Sequence, residues 1–196
     1  MLDREREFEK FRIAIESVCH LQPGAWDDLS ELLTLKQYKK NDYLSREGEM
    51  AYNAVFLLDG IVRVFYRNKD GAEYNKTFFV PGMFPTPLTA LLSGAPNLIN
   101  FQALTDCDTV ELNFAEFKKL FKKYPSLDSF MRIVLEIEWI KKERHDIRMV
   151  TNSAAENYEI FLEEHPGLEQ QIPQYHIASY LGITPIQLSR IRSSKQ

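Results

Sequence analysis

The C-terminal segment from Pro173 to Gln196 constrains the fold of this chain more than any other part of the sequence. Apolar residues at helical spacing in its first half predict a short helix. Gly182 would end that helix, because glycine accepts the left-handed conformation of a helix C-terminus. Thr184 is a suitable N-cap for a second helix, and Pro185 follows it where a missing N–H costs nothing. Two short helices joined by a tight turn are typical of a helix-turn-helix.

The charge of this segment favours nucleic-acid binding. The whole chain has a net charge of −4. From Pro173 onward, however, the basic residues Arg190, Arg192 and Lys195 occur without any Asp or Glu. Because phosphate neutralisation supplies most of the affinity for DNA, a local basic patch on an acidic protein indicates DNA binding. The alternative interpretation is an ordinary helical hairpin that ends a domain.

The rest of the sequence predicts a β-rich region between two helical regions. Residues 3–38 have a helical pattern, and residues 38–113 are rich in turns and in β-branched and aromatic residues. Asp59-Gly60 between two apolar runs is a strong hairpin signal. Many short strands at regular spacing predict a sandwich or barrel. A long helix is predicted to begin at Ser126, and a further helix covers residues 154–164.

Several motifs occur in the order expected of one known family. They are Gly48-Glu49, Leu57-Leu58-Asp59-Gly60, Ile61-Val62-Arg63-Val64-Phe65, Val80-Pro81-Gly82-Met83-Phe84, and the C-terminal Leu181-Gly182-Ile183-Thr184 and Leu188-Ser189-Arg190-Ile191. With these motifs the sequence resembles the Crp/Fnr-type bacterial transcription regulators over nearly its whole length. Its C-terminal motif resembles the branch of that family that is common in Bacteroidetes.

The resemblance implies an α+β fold in three segments. Residues 1–125 would form an antiparallel β-roll (a double-stranded β-helix, jelly-roll-like) with flanking helices. Residues 126–151 would form a long dimerisation helix, and residues 152–196 a helix-turn-helix domain. A row at three- and four-residue steps on the long helix is predicted to contact the second copy of a homodimer: Leu127, Phe130, Val134, Ile137 and Lys141.

The same resemblance predicts how DNA is bound. The base-reading positions map onto Pro185, Ile186, Gln187, Ser189 and Arg190. Arg190 would read guanine and Gln187 adenine, whereas Ile186 would contact a thymine methyl group or simply pack. Arg192, Lys195 and the N–H groups near Thr184 would hold phosphates. A dimer predicts a palindromic site in double-stranded DNA, and RNA polymerase is a further candidate partner.

The effector site departs from the family pattern. The family's phosphate-binding cassette has Gly-Glu followed by Arg, but Thr86-Pro87 replaces Gly-Glu here and Asn97 takes the position of Arg. There is no Arg or Lys between Lys76 and Lys118, so a buried phosphate would lack a cationic partner. We therefore expect no useful binding of cyclic AMP, and either an uncharged or apolar effector or none. The candidate pocket residues, whose alternative role is a packed core, are Phe79, Met83, Phe84, Thr86, Leu88, Asn97 and Phe101.

Other functional classes receive little support from the sequence. The four histidines have no metal-ligand spacing, and we expect no metal or other cofactor, with His145 solvated and His176 on an outer helix face. Catalytic motifs are absent, so an enzyme is not predicted. Two well-separated cysteines, no signal peptide and no membrane-length apolar run predict a cytoplasmic protein. The remaining alternative is a binding module with the regulator fold that acts through protein contacts.

Overall fold

The computed structural model describes residues 3–194 and contains eight α-helices and seven β-strands in that range. In chain order they are α1 (Arg4–Glu16), α2 (Ala25–Glu31), β1 (Thr34–Tyr38), β2 (Tyr43–Ser45), β3 (Asn53–Asp59), β4 (Val62–Arg67), β5 (Glu73–Phe79), α3 (Leu88–Ser93), β6 (Asn100–Ala103), β7 (Cys107–Asn113), α4 (Phe114–Leu120), α5 (Pro125–Thr151), α6 (Ala154–Glu164), α7 (Gln174–Tyr180) and α8 (Pro185–Ser193). The predicted α+β class is confirmed. Over the described residues, none of the helices combines the length and the apolarity that a membrane span needs.

The strands form two sheets. The first has three strands in the order β1-β7-β3, and the second has four in the order β2-β6-β4-β5. β7 runs antiparallel to both β1 and β3, and β2 runs antiparallel to β6. The prediction that residues 3–38 are all helical is wrong at its end, because Thr34–Tyr38 pairs along its full length with β7. Backbone pairing with a strand distant in sequence overrides the local helical pattern there.

The three-stranded sheet is covered on both faces. Successive side chains of a strand point to opposite faces. On β3, Phe56 and Leu58 accordingly belong to one apolar core and Leu57 to another. The first core includes α1, α2 and the beginning of α5, whereas the second includes residues of β4 and β6. Two cores on one sheet leave little of its surface for a ligand.

The predicted Asp59-Gly60 turn joins β3 to β4. Gly60 has a φ of +96°, in the left-handed region. A Cβ atom at this position would lie 2.4 Å from the carbonyl oxygen of Asp106 and 2.6 Å from the Cys107 sulfur. Glycine is therefore required here both by the backbone conformation and by the closeness of the neighbouring strand.

The described chain divides into two compact units. One holds residues up to Val64 together with Phe78–Ile137, and the other holds Phe65–Thr77 together with residues from Glu138 onward. The boundary thus crosses β4, β5 and α5. The two units are distinguished by how compactly their residues pack. The domain boundaries predicted from the sequence, after residues 125 and 151, remain a prediction.

The long helix α5 corrects the predicted dimerisation row. Leu127 and Phe130 are buried in the first core, and Val134 packs against that core. The prediction that Leu127 and Phe130 face a partner is therefore wrong, because their own unit already covers them. Ile137 is exposed, as predicted, and so is Lys141.

The second unit has its own apolar core. Phe161 of α6, Ile177 of α7 and Leu188 of α8 are almost completely buried. The α6 helix begins with a capping box, in which Ser153 and Glu156 each satisfy the other's backbone N–H. Within this unit, α7 packs directly on α8.

Candidate nucleic-acid interface

The turn between α7 and α8 follows the predicted pattern. Leu181 ends α7, and Gly182 has a φ of +67°. The Ile183 N–H donates to the Ala178 carbonyl at 3.0 Å, which closes the helix end. The helix-turn-helix predicted from the sequence is therefore present, and its turn residues are those that local backbone physics requires.

A capping box fixes the beginning of α8. The Thr184 hydroxyl oxygen accepts a hydrogen bond from the Gln187 N–H at 3.2 Å. In return, the Gln187 Oε1 atom accepts from the Thr184 N–H at 2.8 Å and from the Thr184 hydroxyl at 3.1 Å. Pro185 occupies the first helical position. The predicted N-cap is confirmed, and Gln187 takes part in it through its side chain, which the sequence analysis did not anticipate.

The outer face of α8 carries the predicted base-reading residues together. Pro185, Ile186, Gln187, Ser189 and Arg190 are all exposed. Ile186 is 66% exposed, which excludes the alternative that it simply packs. Within residues 3–194, no carboxylate pairs with Arg190. This face therefore offers one guanidinium group, one amide and one apolar side chain to an external partner.

A polar recess lies beside this face. It has a volume of about 190 Å³ and is lined by Gln174, Ser189, Arg192 and Ser193. The Arg192 Nε atom lies 3.8 Å from a carboxylate oxygen of Glu169. Arg192 is therefore partly neutralised, unlike Arg190. The predicted phosphate contact Lys195 lies outside the described residues.

The first motif helix is held through His176, which is buried and not on an outer face as predicted. The Asn75 side-chain amide of β5 donates to the His176 carbonyl at 3.0 Å and lies 3.2 Å from the His176 Nδ1 atom. The Ser179 hydroxyl accepts from the Asn75 N–H and donates to the Glu73 carbonyl. The β5 strand thus anchors α7, a contact that the local sequence pattern does not reveal.

A second anchor joins α7 to α5. The Tyr180 hydroxyl lies 3.3 Å from the His145 Nδ1 atom, and burial, followed by the charge of Arg148, lowers the pKa of His145. His145 is half-buried, so the prediction that it is solvated is wrong. The Arg148 guanidinium also pairs with both carboxylate oxygens of Glu164 on α6, at 2.6 and 3.2 Å. Together these contacts position α7 on the C-terminal half of α5.

The candidate effector residues are divided between different surroundings. Phe79 and Phe101 belong to the core around β4 and β6, whereas Phe84 and Leu88 pack against the core around α1 and α5. The Met83 sulfur accepts from the Val80 N–H at 3.5 Å. The structure therefore does not bring these apolar side chains together around one space.

The two polar residues among the candidate effector residues, Thr86 and Asn97, form hydrogen bonds within the protein. The Thr86 hydroxyl bridges both backbone groups of Val55, at 2.8 and 3.0 Å. The buried Asn97 amide donates to the Ser45 hydroxyl at 3.0 Å. Asn97, which the sequence resemblance placed at the arginine position of the cassette, is thus a neutral amide that is already bonded.

A carboxylate also lies within the roll. Glu111 is buried on the face of β7 that it shares with Cys107, toward the second core. Its carboxylate accepts from the Tyr38 hydroxyl at 2.5 Å and from the Asn53 amide at 3.1 Å. Burial, and then the hydrogen bond to Glu111, raises the pKa of Tyr38. Arg63, the buried cation of β4, alternates with two core valines, so it lies on the other face of its strand.

Neither metal binding nor thiol chemistry gains support from the geometry. In the part of the chain that the structure describes, no three His, Cys, Asp or Glu side chains are grouped to hold a metal ion. Cys19 and Cys107 are both free thiols. Burial raises the pKa of Cys107, which disfavours the reactive thiolate.

Comparison with known proteins places this geometry in a family context. Residues 35–124 match the family model of the cyclic nucleotide-binding domain. Searching the curated proteins gave no match. FixK2 from Bradyrhizobium japonicum is 21% identical in sequence, with a TM-score of 0.72 and coverage of 83% of each chain.

Two other solved structures cover more of the chain. The regulator CLP from Xanthomonas campestris is 14% identical, with a TM-score of 0.71, over 89% of this chain and 92% of that chain. A protein from Eubacterium rectale that is assigned to the Crp/Fnr family is 14% identical, with a TM-score of 0.69, over 89% and 83%. Residues 35–124 are therefore similar to the cyclic nucleotide-binding domain, and the chain shares its fold with these three solved structures, one of which is assigned to the Crp/Fnr family.

Proposed function

We propose that this protein is a homodimeric transcription regulator of the Crp/Fnr type that binds palindromic double-stranded DNA through α8. The observation that carries the proposal is the exposed face of α8, where Ile186, Gln187 and Arg190 lie together while Leu188 anchors the helix below. Arg190 would read guanine through two hydrogen bonds, and Ile186 would contact a thymine methyl group. A short, firmly supported helix with such a face suits the major groove of DNA.

Phosphate contacts would lie beside the base-reading residues. The recess lined by Gln174, Ser189, Arg192 and Ser193 is polar and includes three residues of α8, and its Arg192 would pair with a phosphate group. Because Glu169 offsets part of the charge of Arg192, that residue would contribute less to binding than Arg190. Lys195 and the backbone N–H groups near Thr184 remain further candidates for phosphate binding.

A row of isoleucines on α5, half-buried at Ile133 and exposed at the other three positions, supports a homodimer with a corrected contact row. Ile133, Ile137, Ile140 and Ile147 follow one another at steps of four, three and seven residues. This spacing makes the seam of a two-stranded coiled coil, with Arg144 at the skipped position. Ile140 and Ile147 are 47% and 56% exposed, so a second copy could bury apolar surface that one chain leaves in water.

The interior of the roll argues against a nucleotide effector. Asn97 replaces the cation that a cyclic nucleotide needs, and Glu111 adds a buried carboxylate. CLP is described as responsive to c-di-GMP, which carries two phosphates and would meet the same obstacle here. An uncharged or apolar effector, or none, fits this chain better.

We also propose three further aspects of the function. The protein is not an enzyme, it acts in the cytoplasm, and it belongs to the branch of the family that is common in Bacteroidetes. RNA polymerase is the partner expected of an activator. The alternative function is that of a binding module which keeps the fold but acts only through protein contacts. That alternative predicts that removing the Arg190 side chain changes no activity.

The testing experiment is selection from a randomised DNA library with the full-length protein, at several salt concentrations and without added nucleotide. We expect an enriched palindrome, and we expect Arg190→Ala to weaken specific binding by about 1–3 kcal/mol. Arg132→Ala is the matched control, since Arg132 is an exposed arginine that belongs to α5 and not to α8. Enrichment that is absent both with and without small-molecule cell extract, or an equal effect of the two variants, would contradict the proposal.

A further inference from the structure

One side chain on the proposed DNA-binding face, that of Gln187, also caps the beginning of α8. Gln187 is exposed, yet its Oε1 atom accepts two hydrogen bonds, one from the Thr184 N–H at 2.8 Å and one from the Thr184 hydroxyl at 3.1 Å. An amide oxygen has two lone pairs, so both are used within the capping box. The part of the amide that remains for an external partner is the NH₂ group, which only donates.

The cap therefore removes the usual way in which glutamine reads DNA. A glutamine normally binds adenine through two hydrogen bonds, donating to N7 and accepting from the N6 amino group. The second of these bonds needs Oε1, which Thr184 already occupies. Breaking the cap to free this oxygen would lower affinity by roughly 2- to 30-fold, as measured losses of helix N-caps indicate. The initial expectation that Gln187 reads adenine therefore conflicts with the capping geometry.

We propose, on the basis of the function proposed above, that Gln187 is a donor-only specificity residue that selects bases with acceptors in the major groove. Guanine presents two acceptors, O6 and N7, and thymine presents O4, whereas adenine presents its N7 acceptor beside an amino donor that would face the Gln187 NH₂ group unfavourably. Cytosine presents an amino donor, which would face the Gln187 NH₂ group unfavourably. The expected order of preference is guanine first and thymine second, with cytosine rejected.

The position of Gln187 on α8 supports a role toward a base. Arg190 lies three residues after Gln187 and four after Ile186, so the three side chains share one face of the helix. A phosphate oxygen is also an acceptor and could bind the same NH₂ group. A base contact and a phosphate contact differ in one measurable respect. A base contact changes the sequence that the protein prefers, whereas a phosphate contact carries no direct sequence information.

The experiment compares wild type with Gln187→Glu by selection from randomised DNA and by binding to single-base variants of the selected site. Glutamate also completes a capping box, so the beginning of α8 is preserved. The second carboxylate oxygen of the glutamate, which takes the place of the Gln187 NH₂ group, accepts hydrogen bonds and does not donate them. We expect the preferred base at one position of each half-site to change from guanine or thymine to cytosine or adenine, with a change in relative affinity of roughly 5- to 100-fold. The position read by Arg190 should stay unchanged.

Two control variants separate capping from base recognition. Thr184→Ser keeps the hydroxyl cap and should leave the selected motif as it is. Gln187→Met has a similar length but neither donor nor cap, so preference at that one position should disappear. Thermal unfolding of each variant reports whether α8 is still supported.

The outcomes are distinguishable. A change of base preference at a single position supports the inference. Uniform weakening on all sequences in Gln187→Glu means a phosphate contact and overturns it, as does a wild-type preference for adenine that Gln187 controls. If the wild-type protein enriches no sequence at all, the proposed function fails and this inference fails with it. If wild type enriches a motif that Gln187→Glu leaves unchanged, the inference alone is overturned.

Discussion

Replacing Ile140 by alanine tests the proposed dimer seam. Ile140 is 47% exposed in one chain, and a two-fold seam contains it twice. Burial of both copies of Ile140 in the dimer would therefore remove from water about as much surface as one fully exposed isoleucine side chain has. Full burial of such a side chain is worth about 1.5–3 kcal/mol. Alanine keeps a small part of this, so we expect a loss of about 1–2 kcal/mol, which is roughly a 5- to 30-fold rise in the dimer dissociation constant.

Sedimentation equilibrium over a range of protein concentrations measures this constant directly. The matched control is Ile13→Ala, because Ile13 is 60% exposed but belongs to α1 and not to α5. Lys141→Ala should also have little effect, since Lys141 lies beside the corrected row and not within it. A dissociation constant unchanged by Ile140→Ala, or changed as much by Ile13→Ala, would refute the assignment of this face of α5 to the dimer.

Two further predictions concern stability. Gly60→Ala should lower the free energy of unfolding by on the order of 2–3 kcal/mol in denaturant titrations, because the new Cβ would meet backbone atoms of β7 as well as a strained φ. Gly71→Ala, at a similar φ but with no atom within 4 Å of its Cβ, should cost clearly less. Burial is the main cause that lowers the pKa of His145 and His165, so the folded state binds fewer protons than the unfolded state just below pH 6.5. Stability, measured by thermal unfolding, should therefore be complete above pH 6.5 and fall as pH drops below it, by at most about 1.4 kcal/mol per pH unit for each histidine.

The parts of the fold that the sequence predicted well are those decided by neighbouring residues. Gly182 ends α7 and Thr184 caps α8 because caps and turns depend on the conformation of a few consecutive residues. The hairpin at Gly60 and the helix from Ala154 to Glu164 have similarly local causes. For such elements the residue type and its position are sufficient.

The errors arose where partners distant in sequence decide the outcome. Tyr38 ends a strand and not a helix, because β7 pairs with it. His176 is buried because Asn75, 101 positions earlier, binds it. Leu127 lies in a heptad row that looks suitable for dimerisation, but the core of its own unit covers that side of α5. Periodicity identifies an apolar face without indicating which neighbour will cover it.

The candidate effector residues show a further limit. Phe79 and Phe84 are five positions apart, and either could line a pocket or fill a core on the basis of composition. The structure assigns them to two different cores. Aromatic side chains are large enough to serve both roles, so only the three-dimensional arrangement separates a binding site from packing.

The charges around the candidate effector residues and the contacts that hold α7 both bear on what kind of effector this protein could have. A nucleotide could act as an effector only if the roll compensated its phosphate, but Asn97 is neutral and Glu111 is already satisfied as an anion by Tyr38 and Asn53. An added phosphate would therefore be a second anion inside the roll, where Lys36 already lies 3.9 Å from a carboxylate oxygen of Glu111 and is offset by it. At the same time, α7 is already fixed by contacts to β5 and α5 that require no ligand. If the proposed regulator has an effector, these two observations lead us to expect a ligand that is not an anion and that acts by disturbing contacts which already hold α7.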